Sequence, residues 1–424
     1  MKTILLLGAG KSATVLIDYL LKESETNKWK FIIADVNKEQ ILLKINDSRF
    51  AEAVEIDITN NKQREKIIQR AHVVISMMPP ALHFLVAKDC VEYRKHLLTA
   101  SYLDNNIKSL SDEITQRKLL FLCEIGLDPG IDHISAMKII DGIKARGGTI
   151  TSFKSHCGGL VAPESDDNPW HYKISWNPRN VVMAGKAGAE YKLNNTIEHK
   201  GYRELFKNCS QINIEGLGKL AVYPNRDSLS YIPIYKLDKV ETFIRTTLRY
   251  PSFCEGWDAI VQAGLTNEVD EINTKGLAFV KWSSPIIPFI NNSNKLMLQF
   301  IGLFDELQVP TVAKTSADVL QYLLETKLFM QPSDKDMIVM LHEIEFTLEG
   351  KTTKIESSLI VKGEDSLRTA MAKTVGLPLG IAAKLILNRD LPLTGLYIPT
   401  IKEIYEPLLR ELKLNGITFT ETEI

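Results

Sequence analysis

The chain has 424 residues, 45% of them hydrophobic and 24% charged, with a formal net charge of −1, so it is long enough for two or three domains with sizeable cores. The near-neutral balance gives no sign of nucleic acid or an anionic membrane as a partner. Five scattered cysteines without a Cys-x-x-Cys pair argue against a zinc cluster or disulfide framework, and we expect a cytoplasmic protein without a signal peptide or membrane span.

The first predicted element is a buried strand over residues 3–8, followed by Gly8-Ala9-Gly10-Lys11-Ser12-Ala13 and an apolar helix. This is the G-x-G-x-x-A fingerprint of dinucleotide binding in its strand–turn–helix context. Gly8 makes the turn, Gly10 lets the backbone approach a pyrophosphate, and Ala13 lets helix and strand pack, while the helix N-terminus attracts phosphate. A P-loop is rejected, because Leu5 stands where that motif needs a glycine.

A second strand, over residues 31–34, ends at Asp35. An acidic residue at this distance from the glycines accepts hydrogen bonds from the adenosine ribose hydroxyls and repels a 2′-phosphate. Asp35 therefore favours NAD, with NADP as the alternative cofactor. The competing interpretation is a solvated aspartate at a strand end.

Strands and helices then alternate up to about residue 123. The further predicted strands are 53–56, 72–78, 97–100 and 119–123, and the helices between them are 61–70, 81–95 and 106–117. Such alternation predicts an α/β fold with a Rossmann-type, doubly wound parallel sheet. His83 and His96 lie on predicted helical stretches and are interpreted as core or surface histidines, not ligands.

The last of these strands leads into a turn with two glycines and a proline that holds Asp128, and a helix is predicted from Ile131. Turns at the carboxyl ends of strands are where open α/β sheets bind ligands. We therefore place the end of a cofactor domain, residues 1–130, at this turn. Asp128 is a candidate site residue, and the alternative is that it only caps the following helix.

The later chain has a different pattern, which predicts an α/β substrate domain with a mixed sheet over residues 131–252 and 334–389. It includes a half-buried strand at 150–156 that ends at Cys157, a long loop at 162–179, and a hairpin at 337–346 and 353–361. Residues 253–333 are predicted as a small helical insertion. The C-terminal tail, residues 390–424, is expected to pack back on the cofactor domain.

Three arginines, Arg226, Arg245 and Arg249, lie in the predicted substrate domain. Since arginine binds carboxylates bidentately, three of them suggest a substrate with several carboxylates. Each alone is also typical of a surface salt bridge. Cys157 has no recognisable Cys-His-Asn context, so a buried structural thiol competes with a catalytic role. From the residues alone, the prediction ends at an NAD(P)-dependent oxidoreductase acting on a polyanion.

Longer motifs make the chain resemble the glutamate-forming saccharopine dehydrogenases, also called saccharopine reductases. The motifs that carry the resemblance are Gly126–His133, Thr99–Tyr102, His156–Glu164, Asp167–Pro169, Tyr172-Lys173, Ser175-Trp176, Tyr223–Ser228, Thr247–Tyr250 and Ala372–Pro378. They are spread over nearly the whole chain. The departures are His156 and Val161, where the family has Tyr and Pro, a divergent stretch over residues 178–188, and Pro251 and Ser252 after the Thr247–Tyr250 motif.

The resemblance implies hydride transfer at a secondary amine, with saccharopine and water on one side and glutamate and 2-aminoadipate 6-semialdehyde on the other, as part of lysine metabolism. It implies these substrate-site residues: Ser101, Tyr102, Asp128, Arg226, Thr247 and Arg249. It implies these cofactor contacts, together with Gly8 and Ala13 of the fingerprint: Gly10, Lys11, Ser12, Asp35, Asp57, Ile58, Ala100, Leu127 and Lys173. Asp128 and Tyr102 are the candidate proton-transfer groups, with Cys157 near them. No metal is implied.

Two other functions stay open at this point. One is a related imine reductase of polyamine synthesis, of the carboxynorspermidine dehydrogenase type, whose diamine substrate calls for acidic rather than arginine side chains. The other is a non-catalytic NAD-binding regulator on the same fold, which the combination of Tyr102, Asp128 and Arg226 disfavours. The expected partner is a small molecule with several carboxylates, not nucleic acid or membrane, and a homodimer is compatible with the sequence.

Overall fold

The computed structural model describes residues 1–424 and contains two compact units. The first comprises residues 1–145 and 367–419, and the second residues 146–366 and 420–424. The strands are β1 (Thr3–Leu7), β2 (Lys30–Asp35), β3 (Ala51–Glu55), β4 (Val73–Ser76), β5 (His96–Thr99), β6 (Leu120–Leu122), β7 (Thr149–Val161), β8 (Ala189–Leu193), β9 (Thr196–Lys200), β10 (Ser210–Ile214), β11 (Gly218–Pro224), β12 (Arg226–Asp227), β13 (Thr242–Arg249), β14 (Asp336–Leu348), β15 (Lys351–Lys362), β16 (Gly395–Tyr397) and β17 (Thr420–Glu423).

The helices connect and flank these strands. They are α1 (Thr14–Asn27), α2 (Lys38–Ile45), α3 (Asn61–Gln69), α4 (Pro80–Glu92), α5 (Asn105–Lys108), α6 (Ser111–Gln116), α7 (Ile131–Ala145), α8 (Pro178–Val182), α9 (Tyr231–Ile234), α10 (Pro251–Gln262), α11 (Phe279–Trp282), α12 (Lys295–Phe300), α13 (Ser316–Lys327), α14 (Ala370–Asn388) and α15 (Lys402–Leu414).

The first unit is built on a seven-stranded sheet in the order β16-β6-β5-β4-β1-β2-β3, and all of its neighbouring strands are parallel. Its central strands are buried on both faces, as the unbroken apolar run in β1 requires. Helices cover those faces, and the successive strands from β1 to β6 are connected through helices. The predicted Rossmann-type sheet is confirmed, and the carboxyl ends of its strands share one edge.

Helix α14 packs closely on α1 within this unit. A Cβ at Gly376 would lie 2.9 Å from the Cβ of Leu16, and one at Gly380 would lie 2.6 Å from a ring carbon of Tyr19. Glycines four residues apart therefore allow the two helices to approach. By length and composition α14 would also suffice to span a membrane, contrary to the expectation that no segment is long and apolar enough, but 78% of its apolar window is buried inside the protein. That burial is typical of a core helix.

The second unit contains a ten-stranded mixed sheet whose main path runs β10-β11-β13-β7-β14-β15-β17. β13 lies parallel to β7, whereas β14 is antiparallel to it over most of its length. The hairpin of β14 and β15 turns at Glu349-Gly350, with φ angles of 50° and 77°. A two-residue turn with two positive φ angles matches the right-handed twist of the strands, and this hairpin was predicted from the sequence.

Helices α10 to α13 form the helical region expected over residues 253–333, and the long loop at 162–179 is anchored to it. Trp170 of the loop is fully buried and stands edge-on to Phe253 and Trp257. Its indole N–H donates to the carbonyl of Met297 at 2.7 Å, and only a glycine fits at position 256, where a Cβ would lie 2.8 Å from the Trp170 ring. The loop is therefore held by a packed aromatic side chain.

Several details differ from the sequence-based expectations. The first segment of the first unit ends at residue 145, whereas the predicted cofactor domain ended at residue 130. The difference arises because α7 belongs to the first unit. Helix α14 also belongs there, since it packs on α1, although its residues were assigned to the substrate domain. The C-terminal tail, residues 390–424, was expected to pack on the cofactor domain. Its residues up to 419 belong to the first unit, but β17 pairs with β15 in the second unit.

Candidate functional site

The glycine-rich turn after β1 has the geometry that a dinucleotide requires. Gly8 has a φ of 96°, and a Cβ there would lie 2.9 Å from the carbonyl oxygen of Met77, so both conformation and space demand glycine. A Cβ at Gly10 would meet no atom within 4 Å, which leaves the space above the turn open. Ala13 is buried, as close packing of helix and strand needs. These residues fit a pyrophosphate at the start of the helix.

Asp35 and Lys44 hold this turn from two sides. The N–H of Ala9 donates to Oδ2 of Asp35 at 2.7 Å, at the carboxyl end of β2. Nζ of Lys44 donates to the carbonyls of Ala9 and Gly10 at 2.7 and 2.8 Å. Burial lowers the pKa of Lys44 to about 8, although the nearby Asp35 and Asp18 carboxylates act in the opposite direction. The role of Lys44, which lies in α2, was not identified from the sequence.

The other predicted cofactor contacts of the first unit are spread along the same sheet edge. Asp57 follows β3 and is exposed, and hydrogen bonds from the hydroxyl and N–H of Thr59 (2.7 and 2.9 Å) lower the pKa of its carboxyl group. Ile58 beside it is buried. Lys11 and Ser12 lie in the first turn after Gly10. All of these positions follow the carboxyl ends of parallel strands, where ligands bind in open sheets.

Hydrogen bonds of Glu124 connect the segment with Ser101 and Tyr102 to the start of α7, which follows the turn with Asp128. The N–H of Glu124 donates to the carbonyl of Ser101 (3.0 Å), and its Oε1 accepts the N–H of Leu103 (3.0 Å). Its other carboxylate oxygen lies 2.9 Å from Nε2 of the buried His133. This carboxylate–imidazole pair was not identified from the sequence.

The turn with Asp128 is compact and packs against the end of β5. Gly126 lies against Ala100, since a Cβ at Gly126 would be 2.9 Å from the Ala100 Cβ, and Leu127 is buried. Asp128 itself is half-buried. At the start of α7, Oδ1 of Asp132 accepts the N–H of Gly130 at 2.6 Å. Asp132 thus supplies a carboxylate at this helix start, and the suggested capping role of Asp128 stays a prediction.

Ser101 also contacts His83, a histidine that was not among the predicted site residues. Nε2 of His83 lies 2.7 Å from Oγ of Ser101, and Nδ1 lies 2.8 Å from Oγ of Ser76. His83 is 2% exposed, and burial lowers its pKa to about 4, against a smaller opposing effect of Asp104. Of the two options left open for His83, a core or a surface histidine, the structure shows the core histidine, and it is hydrogen-bonded directly to a predicted substrate residue.

In the second unit, Cys157 and Thr247 are adjacent, because they are direct partners in the parallel pair β7 and β13. Cys157 is buried. Tyr223 is the partner of Thr247 on the other side, in β11, and burial raises the pKa of its phenol to about 12. The sheet register thus brings two predicted site residues, Cys157 and Thr247, together. It also places Tyr223 beside Thr247, and Tyr223 was part of the motif at 223–228 but was not predicted as a site residue.

Arg249, at the end of β13, is a buried cation whose partners are neutral. It is 6% exposed, and its guanidinium donates to the carbonyls of Leu248 (2.8 Å) and Gly159 (3.4 Å). It also lies 5.4 Å from the ring centres of Tyr172 and Phe253. No carboxylate is within salt-bridge distance, and its buried Nε has no hydrogen-bond partner. A buried cation in this state is costly unless an anion binds to it.

The remaining predicted residues of this unit have other surroundings. Arg226 is exposed, has a φ of 54° and is the first residue of the short strand β12. Arg245 is buried over the ring of Tyr231, at 4.7 Å. Nζ of Lys173 is paired with the carboxylates of Asp167 (2.8 Å) and Asp334 (2.7 Å), so a cofactor contact of Lys173 would compete with both. The roles assigned to these residues stay predictions.

Comparisons with known proteins agree along the whole chain. Residues 4–121 match the saccharopine dehydrogenase NADP binding domain, and residues 126–417 match the saccharopine dehydrogenase C-terminal domain. The chain is 33% identical to the mitochondrial alpha-aminoadipic semialdehyde synthase of Mus musculus over 99% of its own length but only 47% of that protein, so it spans about half of this relative. It is 31% identical to the saccharopine dehydrogenase (NADP(+), L-glutamate-forming) of Saccharomyces cerevisiae, over 97% of both chains.

Solved structures agree with these matches. The apo saccharopine dehydrogenase (L-Glu forming) of Saccharomyces cerevisiae superposes with a TM-score of 0.90, at 30% identity and with full coverage of both chains. A homospermidine synthase of Legionella pneumophila in complex with NAD gives a TM-score of 0.59 at 10% identity, over 99% of this chain and 91% of that one. The second likeness concerns the fold alone.

Proposed function

Because the chain belongs to the saccharopine dehydrogenase family, we propose that it interconverts saccharopine plus water and L-glutamate plus 2-aminoadipate 6-semialdehyde, with a nicotinamide dinucleotide as hydride acceptor. The observation in the structure that carries this proposal is Arg249, a buried guanidinium without a carboxylate partner. Such a group is stabilised by a bound anion, and saccharopine has three carboxylates.

The same observation weighs against the polyamine alternative. A diamine substrate is cationic, and the buried guanidinium of Arg249 would repel it, whereas a substrate carboxylate would form charge-assisted hydrogen bonds with it. The likeness to a homospermidine synthase concerns the fold only, so it adds no support for that function.

The dinucleotide would be held by the first unit, at the open space above Gly10 and the N-terminus of the helix that follows. We propose that NAD is preferred over NADP. Asp35 supports this, because its carboxylate is fixed by the N–H of Ala9 at the end of β2 and would repel a 2′-phosphate. When bound, the nicotinamide ring supplies the acceptor for the hydride that leaves the CH–NH carbon of the substrate.

The residues of the chain would handle the protons. In the proposed sequence, the substrate amine gives its proton to a base as hydride leaves the neighbouring carbon, which produces an imine. The base returns this proton to the imine nitrogen, water adds to the imine carbon, and the base takes a proton from this water. It passes that proton on to the nitrogen. As the C–N bond breaks, the hydroxyl group gives its proton to the base, which leaves the aldehyde and the amine of glutamate. We assign the base role to Asp128, which is half-buried and fixed in a tight turn, with Tyr102 and Cys157 as the other candidates.

Product identification tests the proposal. The purified chain is incubated with saccharopine and NAD, and the products are separated and then identified and quantified by mass spectrometry. The proposal predicts equimolar glutamate and 2-aminoadipate 6-semialdehyde, with one reduced dinucleotide per product pair. Reduction of the dinucleotide without glutamate release, or no reaction with either NAD or NADP, would contradict it.

A further inference from the structure

A hydrogen-bonded chain of three side chains, two of them buried, runs along the carboxyl edge of the first unit's sheet. It links Ser76, the last residue of β4, through His83 of α4 to Ser101, which follows β5. The two serine oxygens lie 2.8 and 2.7 Å from the two ring nitrogens of His83, so both nitrogens are used. Ser101 is half-buried and is itself a predicted substrate-site residue, and the other two side chains are 1–2% exposed.

The ring of His83 is neutral over the working pH range, because burial lowers its pKa to about 4. A neutral imidazole has one N–H donor and one acceptor nitrogen. The ring therefore donates a hydrogen bond to one serine and accepts one from the other. Which nitrogen has the proton decides whether Ser101 keeps its own hydroxyl proton for a ligand.

Thr99 indicates which arrangement is present. The N–H of Ser101 donates to Oγ1 of Thr99 at 3.2 Å, and this hydroxyl lies 3.5 Å from Nε2 of His83. Two hydroxyl groups, those of Thr99 and Ser101, thus face Nε2, and each has one proton to donate. An acceptor at Nε2 satisfies this arrangement, and the ring proton then lies on Nδ1 and is donated to Ser76.

We propose that His83 is a positioning residue that holds the hydroxyl proton of Ser101, so that Ser101 presents only lone pairs to a bound ligand. Ser101 then accepts a hydrogen bond from an N–H donor, and the secondary amine of saccharopine is the donor that the proposed function offers. A carboxylate would find no proton there. This inference rests on the proposed function for the identity of the ligand, but the state of the His83–Ser101 pair does not depend on it.

The first test examines the ring nitrogens of wild-type protein directly. Selective ¹⁵N labelling of the eight histidines, with assignment through His83→Gln, gives the protonation state of each nitrogen by NMR. We expect a neutral His83 with the proton on Nδ1 between about pH 6 and 9, and a shift of its Nε2 signal in Ser101→Ala. A proton on Nε2, or no response to Ser101→Ala, would overturn the proposal whether or not the protein oxidises saccharopine.

The second test is a double-mutant cycle with a matched control. We expect His83→Gln to lower kcat/KM for saccharopine about tenfold, with dinucleotide affinity within twofold of wild type, because one buried hydrogen bond is lost and Ser101 is reoriented. In a Ser101→Ala background, His83→Gln should have no further effect. His96 is the control, since it lies at the opposite end of β5, where its Nδ1 accepts the N–H of Leu120 at 3.0 Å.

His96→Gln should lower the melting temperature and leave kcat/KM unchanged. If His83→Gln and His96→Gln act alike, or if the effects of His83→Gln and Ser101→Ala multiply, then His83 has a structural role only and the proposal is wrong. Should His83→Gln fail to fold, His83→Asn and the wild-type nitrogen measurement still decide the question. If wild type does not oxidise saccharopine, the proposed function fails, and the nitrogen measurement alone tests the His83 assignment.

Discussion

Substituting Arg249 by Gln should separate substrate binding from stability. A charge-assisted, two-pronged hydrogen bond between arginine and carboxylate contributes about 1.5–3 kcal/mol, so kcat/KM for saccharopine should fall about 10- to 150-fold. Arg249→Lys keeps the positive charge but cannot form the two-pronged hydrogen bond, so its kcat/KM should lie between those of wild type and Arg249→Gln. The affinity for the dinucleotide, measured by fluorescence titration, should stay within twofold of wild type.

The effect on stability should be small, because opposing contributions nearly cancel. The substitution removes hydrogen bonds to the carbonyls of Leu248 and Gly159, at about 1 kcal/mol each, and contacts with two aromatic rings, at about 0.5–1 kcal/mol each. It also relieves an uncompensated buried charge, which costs several kcal/mol. We expect the free energy of unfolding, measured in urea without ligand, to change by less than about 2 kcal/mol.

Arg179→Gln is the matched control for loss of a guanidinium in the same unit. Arg179 is half-buried and paired with Asp318 at 2.9 Å, so its loss should not change kcat/KM for saccharopine. The reasoning about Arg249 would be refuted if Arg249→Gln kept kcat/KM within threefold of wild type. A selective loss of dinucleotide affinity would likewise show that this guanidinium does not bind the substrate.

Three further predictions concern the cofactor, proton transfer and pH. Asp35→Ser should raise kcat/KM with NADP relative to NAD at least tenfold, and an unchanged ratio would contradict the role of this carboxylate. Asp128→Asn should lower kcat about 10²- to 10⁴-fold with an unchanged melting temperature, whereas normal turnover would move the base role to Tyr102. Hydrogen bonds from His156 and then Lys354 lower the pKa of Glu343 from 4.5 to about 2. As the pH falls from 4.5 to 2, the wild type should therefore lose roughly 3 kcal/mol of its free energy of unfolding. The Glu343→Gln variant should not show this loss.

The sign of the last prediction follows from the depressed pKa of the carboxyl group. The ionised Glu343 stabilises the folded protein above its unfolded pKa, and this contribution disappears as the pH falls through the folded value. Urea unfolding at a series of pH values between 5 and 2 measures it. Equal pH dependence in wild type and Glu343→Gln would show that His156 and Lys354 do not stabilise this carboxylate.

The parts of the fold that were predicted have strong local patterns. The strands β1, β2, β4 and β5 are short apolar runs that end in glycine or polar residues, and each is followed by a helical pattern. The hairpin of β14 and β15 has the alternation of a half-buried sheet and a Glu-Gly turn. Buried runs and turn residues are decided within a few positions, so the sequence alone is enough to find them.

The parts that were missed depend on contacts between distant residues. β16 has three residues and becomes a strand only by pairing with β6, more than 270 positions earlier. β17 is polar and fully exposed, and its strand character comes from pairing with β15. The assignment of α14 to the first unit depends on the fit of Gly376 against Leu16, which no local pattern reveals.

The site shows the same division. The glycine-rich turn and Asp35 were predicted because their roles follow from spacing along one strand–turn–helix unit. The importance of Lys44 and His83 depends on what faces them after folding, the carbonyls of Ala9 and Gly10 in one case and two serine hydroxyls in the other. Arg249 was only one of three arginines until its burial without a carboxylate distinguished it.

The most direct test of the account is a comparison of substrates under one assay, the appearance of reduced nicotinamide absorbance. Initial rates are measured with saccharopine and with a carboxyalkylated diamine, each with NAD and with NADP. We predict that saccharopine with NAD gives the highest kcat/KM, and that Arg249→Gln lowers it. A faster reaction with the diamine, or no turnover of saccharopine with either dinucleotide, would contradict the central claim.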